Sequence, residues 1–198
     1  AVINILLALR EVEKTGKGKF LDISMTDNLF PFMWMALGLT ANKFYSKGGD
    51  LQLTGASPRY GIYETLDKGY IALGALEEKF WIRFCEVINL PNKLINDNIN
   101  PNETKETIVK IIKNKNTKEW KDILANEQNI CCSIVNSLEE AMQDSQIIER
   151  ELLSAKMKLG NTEIFPMPTP LAPTWRPKKI LANAPELGEA NSFYMEKL

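Results

Sequence analysis

The N-terminal segment is apolar at almost every position of a helical pattern. Helix-favouring residues run from Ala1 to about Glu13, and the basic residues and glycines at positions 14–18 are typical of a helix C-terminus and turn. No capping residue precedes this run, and its apolar side chains cover nearly every face of the helix. Because such a helix needs neighbours on all sides, the pattern predicts a buried helix. It also favours a piece of a longer chain over a chain that has lost only its initiator methionine.

The next apolar stretch predicts a short strand followed by a second helix. Phe20 to Ile23 has the composition of a strand. Ser24 stands three residues before Asp27, the spacing of a capping box, and aromatic and aliphatic residues follow. Pro31 falls in the first turns of this helix, where proline is tolerated best. We therefore expect one helix that begins directly after Ser24.

Glycine, serine and proline cluster between positions 45 and 59, which predicts a loop and a candidate domain boundary. Two runs of β-forming residues follow, Tyr60–Leu66 and Tyr70–Gly74. The turn between them ends at Gly69, where we expect a positive φ. The pattern predicts a β-hairpin.

The middle of the chain predicts helices. The segment Glu77–Ile88 has apolar residues at helical spacing. We expect Asn102 to cap a helix over residues 103–113 and Thr117 to cap the next one. Residues 131–135 are interpreted as a short buried strand. Ser137 begins a second capping box, and a further helix is expected from about Gln146 to residue 153.

The C-terminal segment differs in composition from the rest of the chain. Five prolines fall between positions 166 and 177, which predicts an extended strap between two domains. Positions 185–198 are expected to form a loop and a terminal helix.

Composition matters mainly through the classes of protein that it excludes. The chain has 198 residues and a net charge of −1, so charge gives no case for a nucleic-acid partner. Three cysteines do not make a disulfide framework, which favours a reducing, cytoplasmic location. The longest apolar run, Leu29–Ala41, is too short to span a membrane. There is no histidine, so this chain supplies no Ser-His or Cys-His catalysis and no His-ligated metal.

Four short motifs follow one another along the chain. They are Arg10 with Thr15–Lys19, Leu21–Met25 and Asp27; Leu53–Tyr60 with Tyr63–Thr65, Asp67 and Gly69–Ala72; Gly74–Glu77 with Lys79–Trp81; and Ala184–Glu189. Each motif alone is weak, but in this order they resemble the class III CoA-transferase family (CaiB/BaiF), and within it the α-methylacyl-CoA racemases. The G-A-L-E string is the part that favours racemases over transferases, and after the last motif Ala190-Asn191 replaces the family's His-Thr.

The resemblance implies an α/β fold with a Rossmann-like large domain and a smaller α+β domain. Residues 1–45 would belong to the large domain, 46–165 to the small domain, and 166–198 to the strap that returns to the large domain. Family members are about twice this length and form interlocked homodimers. The family's catalytic histidine and aspartate, and most of its CoA site, lie upstream of the part that this chain matches.

Two residues acquire candidate roles from the resemblance. Glu77 falls at the position of a carboxylate that supports the catalytic histidine of the neighbouring subunit. Tyr60, seventeen residues earlier, falls at the position of a tyrosine that lines the acyl pocket. Each also has a structural explanation, since a glutamate at a helix start is favoured by the helix dipole and a strand tyrosine is common. Tyr63 is expected to be structural.

The resulting hypothesis is an acyl-CoA racemase or epimerase that acts on 2-methyl-branched acyl-CoA thioesters without a metal or cofactor. CoA transfer between carboxylic acids and a non-catalytic truncated homologue remain as alternatives. Three further features are interpreted as structural: the pair Cys131-Cys132, the loop glycines Gly48-Gly49, and a solvated lysine face. The lysines are Lys110, Lys113, Lys115, Lys118 and Lys121.

Overall fold

The computed structural model describes residues 1–44, 49, 51–176 and 181–195. The chain divides into two compact units, Ala1–Gly61 and Ile62–Leu198, and each is described by itself. The predicted boundary near position 45 lies outside the described residues, as do Gly48 of the loop glycines and Pro177 of the strap. The predicted domain limits therefore remain a prediction.

The first unit is helical. Helix α1 spans Val2–Thr15 and ends at Gly16, whose φ is 68° and whose N–H donates to the carbonyl of Val12. This confirms the predicted helix and turn. The expected burial is wrong, because the large apolar side chains of α1 are 37% to 74% exposed.

The second predicted helix is broken into three pieces. Helix α2, Met25–Leu29, begins after Ser24, whose hydroxyl accepts a hydrogen bond from the N–H of Asp27. A 3₁₀ turn, Phe30–Met33, contains the proline, and α3, Trp34–Ala41, follows. Proline removes one N–H donor and crowds the preceding turn, which accounts for the change from α to 3₁₀ geometry. The strand predicted at Phe20–Ile23 is absent, and these residues have no regular structure.

A three-stranded sheet forms the first layer of the second unit. Strands β1, Tyr60–Glu64, and β2, Tyr70–Gly74, confirm the predicted hairpin strands. Strand β3, Cys132–Ile134, pairs antiparallel with β2 and gives the order β1-β2-β3. The positive φ of the turn falls on Lys68, at 64°, and not on Gly69 as predicted.

Three helices cover one face of this sheet. They are α4, Glu78–Val87; α5, Pro101–Ile112; and α6, Thr117–Ala125. The predicted caps at Asn102 and Thr117 are wrong, since Asn100 and Asn116 occupy the N-cap positions. The core between helices and sheet is apolar and aromatic. Its members include Tyr63, Ile71, Leu73, Trp81, Phe84, Ile108, Ile112 and Trp120.

The remainder of the second unit consists of short elements. Helices α7, Leu138–Met142, and α8, Ser145–Glu149, follow, with the predicted Ser137 capping box present in full. Three further strands follow: β4, Lys156–Leu159; β5, Thr162–Ile164; and β6, Leu181–Asn183. They form a second sheet in the order β5-β4-β6, which the sequence did not predict. Positions 165–176 contain one 3₁₀ turn, Pro173–Trp175, and no α-helix or strand. Helix α9 spans Asn191–Met195.

Candidate functional site

Glu77 lies at the junction between the sheet and the helical layer. It is the N-cap residue of α4, with an extended backbone at φ −73° and ψ 138°. Its carbonyl oxygen accepts the first two helical hydrogen bonds, from the N–H groups of Phe80 and Trp81 at 3.0 and 3.1 Å. The carbonyl group of Glu77 is therefore part of the hydrogen bonding of α4. The start of α4 thus determines where the side chain of Glu77 leaves the backbone.

The backbone on both sides of Glu77 is firmly anchored. Before it, the N–H of Gly74 donates to the carbonyl of Cys131 at 2.9 Å, and Ala75 is fully buried. After it, Trp81 is fully buried, and its indole N–H donates to the carbonyl of Ile95 at 2.7 Å. Packing and hydrogen bonds of this kind hold a segment in one arrangement. The connection that contains Glu77 is thus fixed at both ends.

The carboxylate of Glu77 has no part in capping the helix. The side chain is exposed, and it accepts no hydrogen bond from the first-turn N–H groups of α4. By contrast, the caps of α5, α6, α7 and α8 all use side-chain oxygens for this purpose. The structural explanation for a glutamate here is therefore reduced to the helix dipole alone. The arrangement presents an ionisable carboxylate to the surface on a rigid support.

The two tyrosines of β1 occupy different environments. Tyr60 is the first residue of the strand, belongs to the first unit and is 37% exposed. Tyr63 is only 2% exposed and belongs to the core of the second unit. The pKa of Tyr63 lies far above its usual range, mainly because the side chain is buried and further because of the charges of Asp97 and Cys132. Tyr63 is thus a neutral core residue, and a pocket role for Tyr60 stays a prediction.

A polar cluster at the hairpin turn was not found by sequence reasoning. One carboxylate oxygen of Asp67 accepts hydrogen bonds from the Thr65 hydroxyl at 2.6 Å, the Thr117 hydroxyl at 2.8 Å and the Thr117 N–H at 3.0 Å. The bonds from Thr65 and Thr117 lower the pKa of Asp67 to about 2. Asp67 thereby fixes the hairpin turn to the start of α6. The only local signal was the Thr-x-Asp spacing, which is typical of a turn.

Contacts of two lysines and the burial of one cysteine agree with structural roles. The buried strand predicted at residues 131–135 is only partly found, because β3 spans Cys132–Ile134 and Cys131 before it is exposed, with φ 45°. Lys113 donates to Glu64 at 2.6 Å, which lowers the pKa of that carboxyl, and the ammonium of Lys115 lies 5.6 Å from the centre of the Trp120 ring. Cys132 is partly buried, and burial raises the pKa of its thiol to about 12. Such a thiol is a poor nucleophile at neutral pH.

Neither a metal site nor a membrane helix is found in the described part of the chain. Residues 1–44, 49, 51–176 and 181–195 contain no cluster of three or more His, Cys, Asp or Glu side chains placed to hold a metal ion. Among the helices formed by these residues, none has the length and apolar character needed to cross a membrane.

The model of CoA-transferase family III matches residues 1–191 of the sequence. The chain belongs to this family. The match extends over both compact units and includes every motif that carried the resemblance. Glu77 and Tyr60 therefore lie inside the matched region.

Curated relatives include enzymes with a racemase name. The chain is 26% identical over 177 residues to the alpha-methylacyl-CoA racemase of Homo sapiens, an alignment that covers 85% of this chain and 44% of the relative. It is 25% identical over 194 residues to the enzyme of the same name from Mus musculus, covering 95% of this chain and 47% of that relative. A CaiB/baiF CoA-transferase family protein from Caenorhabditis elegans is 25% identical over 140 residues, covering 68% of this chain and 39% of that protein. The chain spans less than half the length of these relatives.

Solved structures show the same fold. The crystal structure of the orthorhombic form of Rv3272 from Mycobacterium tuberculosis superposes with a TM-score of 0.66 at 20% identity, covering 96% of this chain and 51% of that one. The predicted α/β fold of the family is confirmed. At this level of identity the likeness concerns the fold alone.

Proposed function

We propose that the whole protein is an acyl-CoA racemase or epimerase that inverts the α-carbon of 2-methyl-branched acyl-CoA thioesters. The observation that carries this proposal is the agreement between sequence and geometry at Glu77. The residue ends the G-A-L-E string that favours racemases, and its exposed carboxylate stands on an anchored backbone without a capping role. The racemase names of the human and mouse relatives support the same reaction.

The chemistry needs groups on both faces of the α-carbon. A base removes the α-proton from one face of the thioester, the resulting enolate is stabilised, and an acid returns a proton to the other face. The resemblance implies that a histidine and an aspartate do this. Because this chain contains no histidine, such a group must reach the site from outside it.

Glu77 is proposed to support that histidine. A carboxylate that accepts a hydrogen bond from an imidazole fixes its orientation and stabilises its protonated form. Such a residue must be exposed before it meets its partner and must not be occupied by local hydrogen bonds. Tyr60 is proposed to line the acyl pocket, with only its exposure and the family spacing in support.

CoA transfer between carboxylic acids is the second candidate. It is supported by the name of the matched family and by that of the Caenorhabditis elegans relative. In this reaction the upstream aspartate would attack the thioester and form an acyl anhydride with release of CoA thiolate. An acyl acceptor is then required, whereas racemisation needs the thioester alone.

Three further features belong to the proposal. The whole protein would be a homodimer, an assembly supported by the exposed apolar side chains of α1 and α3. The reaction would use no metal or redox cofactor, because the thioester itself acidifies the α-proton and the substrate's oxidation level does not change. A cytoplasmic location is supported by the low cysteine content without a disulfide framework.

The deciding experiment is proton exchange. The whole protein is incubated in deuterated water with one enantiomer of a 2-methylacyl-CoA and no acceptor acid, and NMR follows loss of the α-proton while chiral analysis follows inversion. Racemisation predicts both. Thioester exchange only after an acceptor acid is added would contradict it and favour CoA transfer.

Glu77→Gln tests the role of the carboxylate. The substitution keeps size and hydrogen bonding but removes charge, and loss of a supporting group of this kind lowers turnover about 10- to 100-fold. Stability should change by only about 0.5 kcal/mol, since only the helix dipole is affected. Glu78→Gln is the matched control, because it removes a charge from the same helical turn. Equal turnover in both variants would return Glu77 to a purely structural role.

A further inference from the structure

Trp81 connects the first turn of α4 to the core of the second unit. It follows Glu77 by four residues, and its main-chain N–H donates to the carbonyl of Glu77 at 3.1 Å. Side chains in a helix lean toward the N-terminus, so the indole of Trp81 lies against the turn that begins at Glu77. The side chain is fully buried. One residue thus bonds to Glu77 through its main chain and reaches the core through its side chain.

The indole of Trp81 makes a directional contact as well as apolar ones. Its N–H donates to the carbonyl of Ile95 at 2.7 Å, and its ring stacks on that of Phe84 with the centroids 6.0 Å apart. Because a buried indole N–H without a partner is costly, any sliding of the ring would break a bond that water does not replace. An apolar side chain of similar size would pack here without fixing the direction of the helix start.

The acceptor of this hydrogen bond belongs to a loop that is itself anchored. The carbonyl of Ile95 also accepts from the N–H of Asp97 at 3.0 Å. One residue earlier, the carbonyl of Leu94 accepts from the hydroxyl of Thr104 on α5 at 3.3 Å. Leu94, Asp97 and Thr104 are all buried. The indole therefore joins the start of α4 to α5 through a short, buried loop.

The placement of the Glu77 carboxylate depends on how firmly this first turn is held. The start of α4 determines where the side chain leaves the backbone, and no capping hydrogen bond holds the side chain itself. When a group must meet its partner in one geometry, a displacement of about 1 Å is enough to lower turnover about 100-fold. A residue that holds the first turn of α4 therefore acts on the chemistry proposed for Glu77 without touching the substrate.

We propose that Trp81 is the positioning residue for the Glu77 carboxylate and acts through its hydrogen bond to Ile95. This inference rests on the proposed function, since it takes Glu77 to support the histidine in racemisation. The effect of Trp81 on turnover passes through Glu77. It therefore cannot exceed the effect of removing the carboxylate.

The same core contains a matched control for Trp81. Trp120 is buried, and its indole N–H donates to the carbonyl of Ile112 at 2.9 Å. It lies on α6, and its main-chain N–H donates to Asn116, outside the connection that carries Glu77. Trp120→Phe therefore removes the same kind of hydrogen bond and the same ring volume as Trp81→Phe. Only the relation to Glu77 differs.

The first measurement is a double-mutant cycle in α-proton exchange by the whole protein. We expect Trp81→Phe to lower kcat about 10-fold with KM unchanged, and Trp120→Phe to leave kcat within about twofold. In a Glu77→Ala background, Trp81→Phe should lower kcat no further, because no carboxylate remains to be positioned. An equal loss with and without Glu77 would overturn the inference, and so would equal losses in the two tryptophan variants.

The second measurement tests the anchoring without any activity. The N–H of Phe80 donates to the carbonyl of Glu77 at 3.0 Å, so its hydrogen exchange in the whole protein reports the opening of this turn. Because a helix end opens locally, we expect Trp81→Phe to speed this exchange about 10-fold and Trp120→Phe to change it less than about twofold. If Trp81→Phe folds poorly, replacing Trp81 with 3-benzothienylalanine keeps the shape of the ring and removes only the N–H.

The outcomes separate this inference from the proposed function. Unchanged exchange at Phe80 in the Trp81 variants overturns the inference, even if racemisation proceeds. Full activity of Glu77→Ala contradicts the role of Glu77, and the inference falls with it. The absence of α-proton exchange in the unaltered protein contradicts the racemase itself and overturns the inference as well, whatever the exchange at Phe80.

Discussion

The turn of the first hairpin offers a quantitative test of why a glycine stands at position 69. The sequence suggested that Gly69 provides a positive φ, but Lys68 has that conformation. The structure indicates a lack of space instead. A Cβ atom added to Gly69 would lie 2.1 Å from the hydroxyl oxygen of Thr117 and 3.1 Å from that of Thr65. The Thr117 hydroxyl cannot simply rotate away, because it is hydrogen-bonded to Asp67.

We therefore expect Gly69→Ala to destabilise the second unit by about 1–3 kcal/mol, the usual cost of forcing one methyl group into a packed site. In a Thr117→Ala background the 2.1 Å contact disappears, and the next contacts are 3.1 Å and 3.3 Å. The added methyl should then cost less by at least about 0.5 kcal/mol, and this difference is the coupling energy between the two positions. The hydrogen bond lost with Thr117 is common to both Thr117→Ala proteins and cancels in the cycle.

The assay is urea unfolding of the four proteins, followed by tryptophan fluorescence. Trp81 and Trp120 are buried in the second unit, whereas Trp34 and Trp175 are 70% and 76% exposed, so the change in signal reports mainly on this core. If Gly69→Ala costs the same with and without the Thr117 hydroxyl, the steric explanation is wrong.

Three other predictions follow from the same structure. The pKa of Asp67 is lowered to about 2 from an ordinary 3.8, so its contribution to the free energy of unfolding is complete above about pH 5 and is lost as the pH falls from 4 to 2. Asp67→Asn should therefore flatten the acid side of a plot of unfolding free energy against pH, and an unchanged acid side would contradict this role of Asp67. The 198-residue chain alone, which has no histidine, should catalyse no α-proton exchange above the buffer rate, and measurable exchange would place the acid and base within it. The whole protein should sediment as a dimer at low micromolar concentration, and a fully active monomer would contradict the homodimer.

Local chemistry made much of the fold predictable. Ser24 and Ser137 were recognised as helix starts from their own spacing, and both act as N-caps. The caps that were predicted at the wrong residues, Asn102 and Thr117, also had local sequence signals that indicate the correct ones. Asn100 precedes a proline, which is favoured at the first helical position, and Asn116 forms a capping box with Glu119. At each of these helix starts two nearby residues could have capped the helix. The one that does is the one with the more favourable flanking residue, Pro101 after Asn100 and Glu119 for Asn116.

Contacts between distant parts of the sequence were not predictable. Asp67 and Thr117 are separated by 50 positions, and neither has a pattern that indicates the other. The apolar side chains of α1 show a different case, since their pattern correctly predicted a helix but wrongly predicted its burial. For the candidate site, the helix start at Glu77 was predictable from local sequence, whereas the anchoring of Gly74 to Cys131 depends on the pairing of strands 57 positions apart.

The residues of the family motifs separate into two kinds once their hydrogen bonds are known. Thr65, Asp67 and Gly69 are fully used by the fold, because the first two form the cluster on α6 and the third makes room for it. Their presence in the motif needs no catalytic explanation. Glu77 differs, since its backbone is used in α4 but its carboxylate is not. A charged side chain that stands on an anchored backbone and that the fold does not itself use is where the function of a motif is expected to reside. This contrast, together with the motif match, is the reason for proposing the supporting role for Glu77.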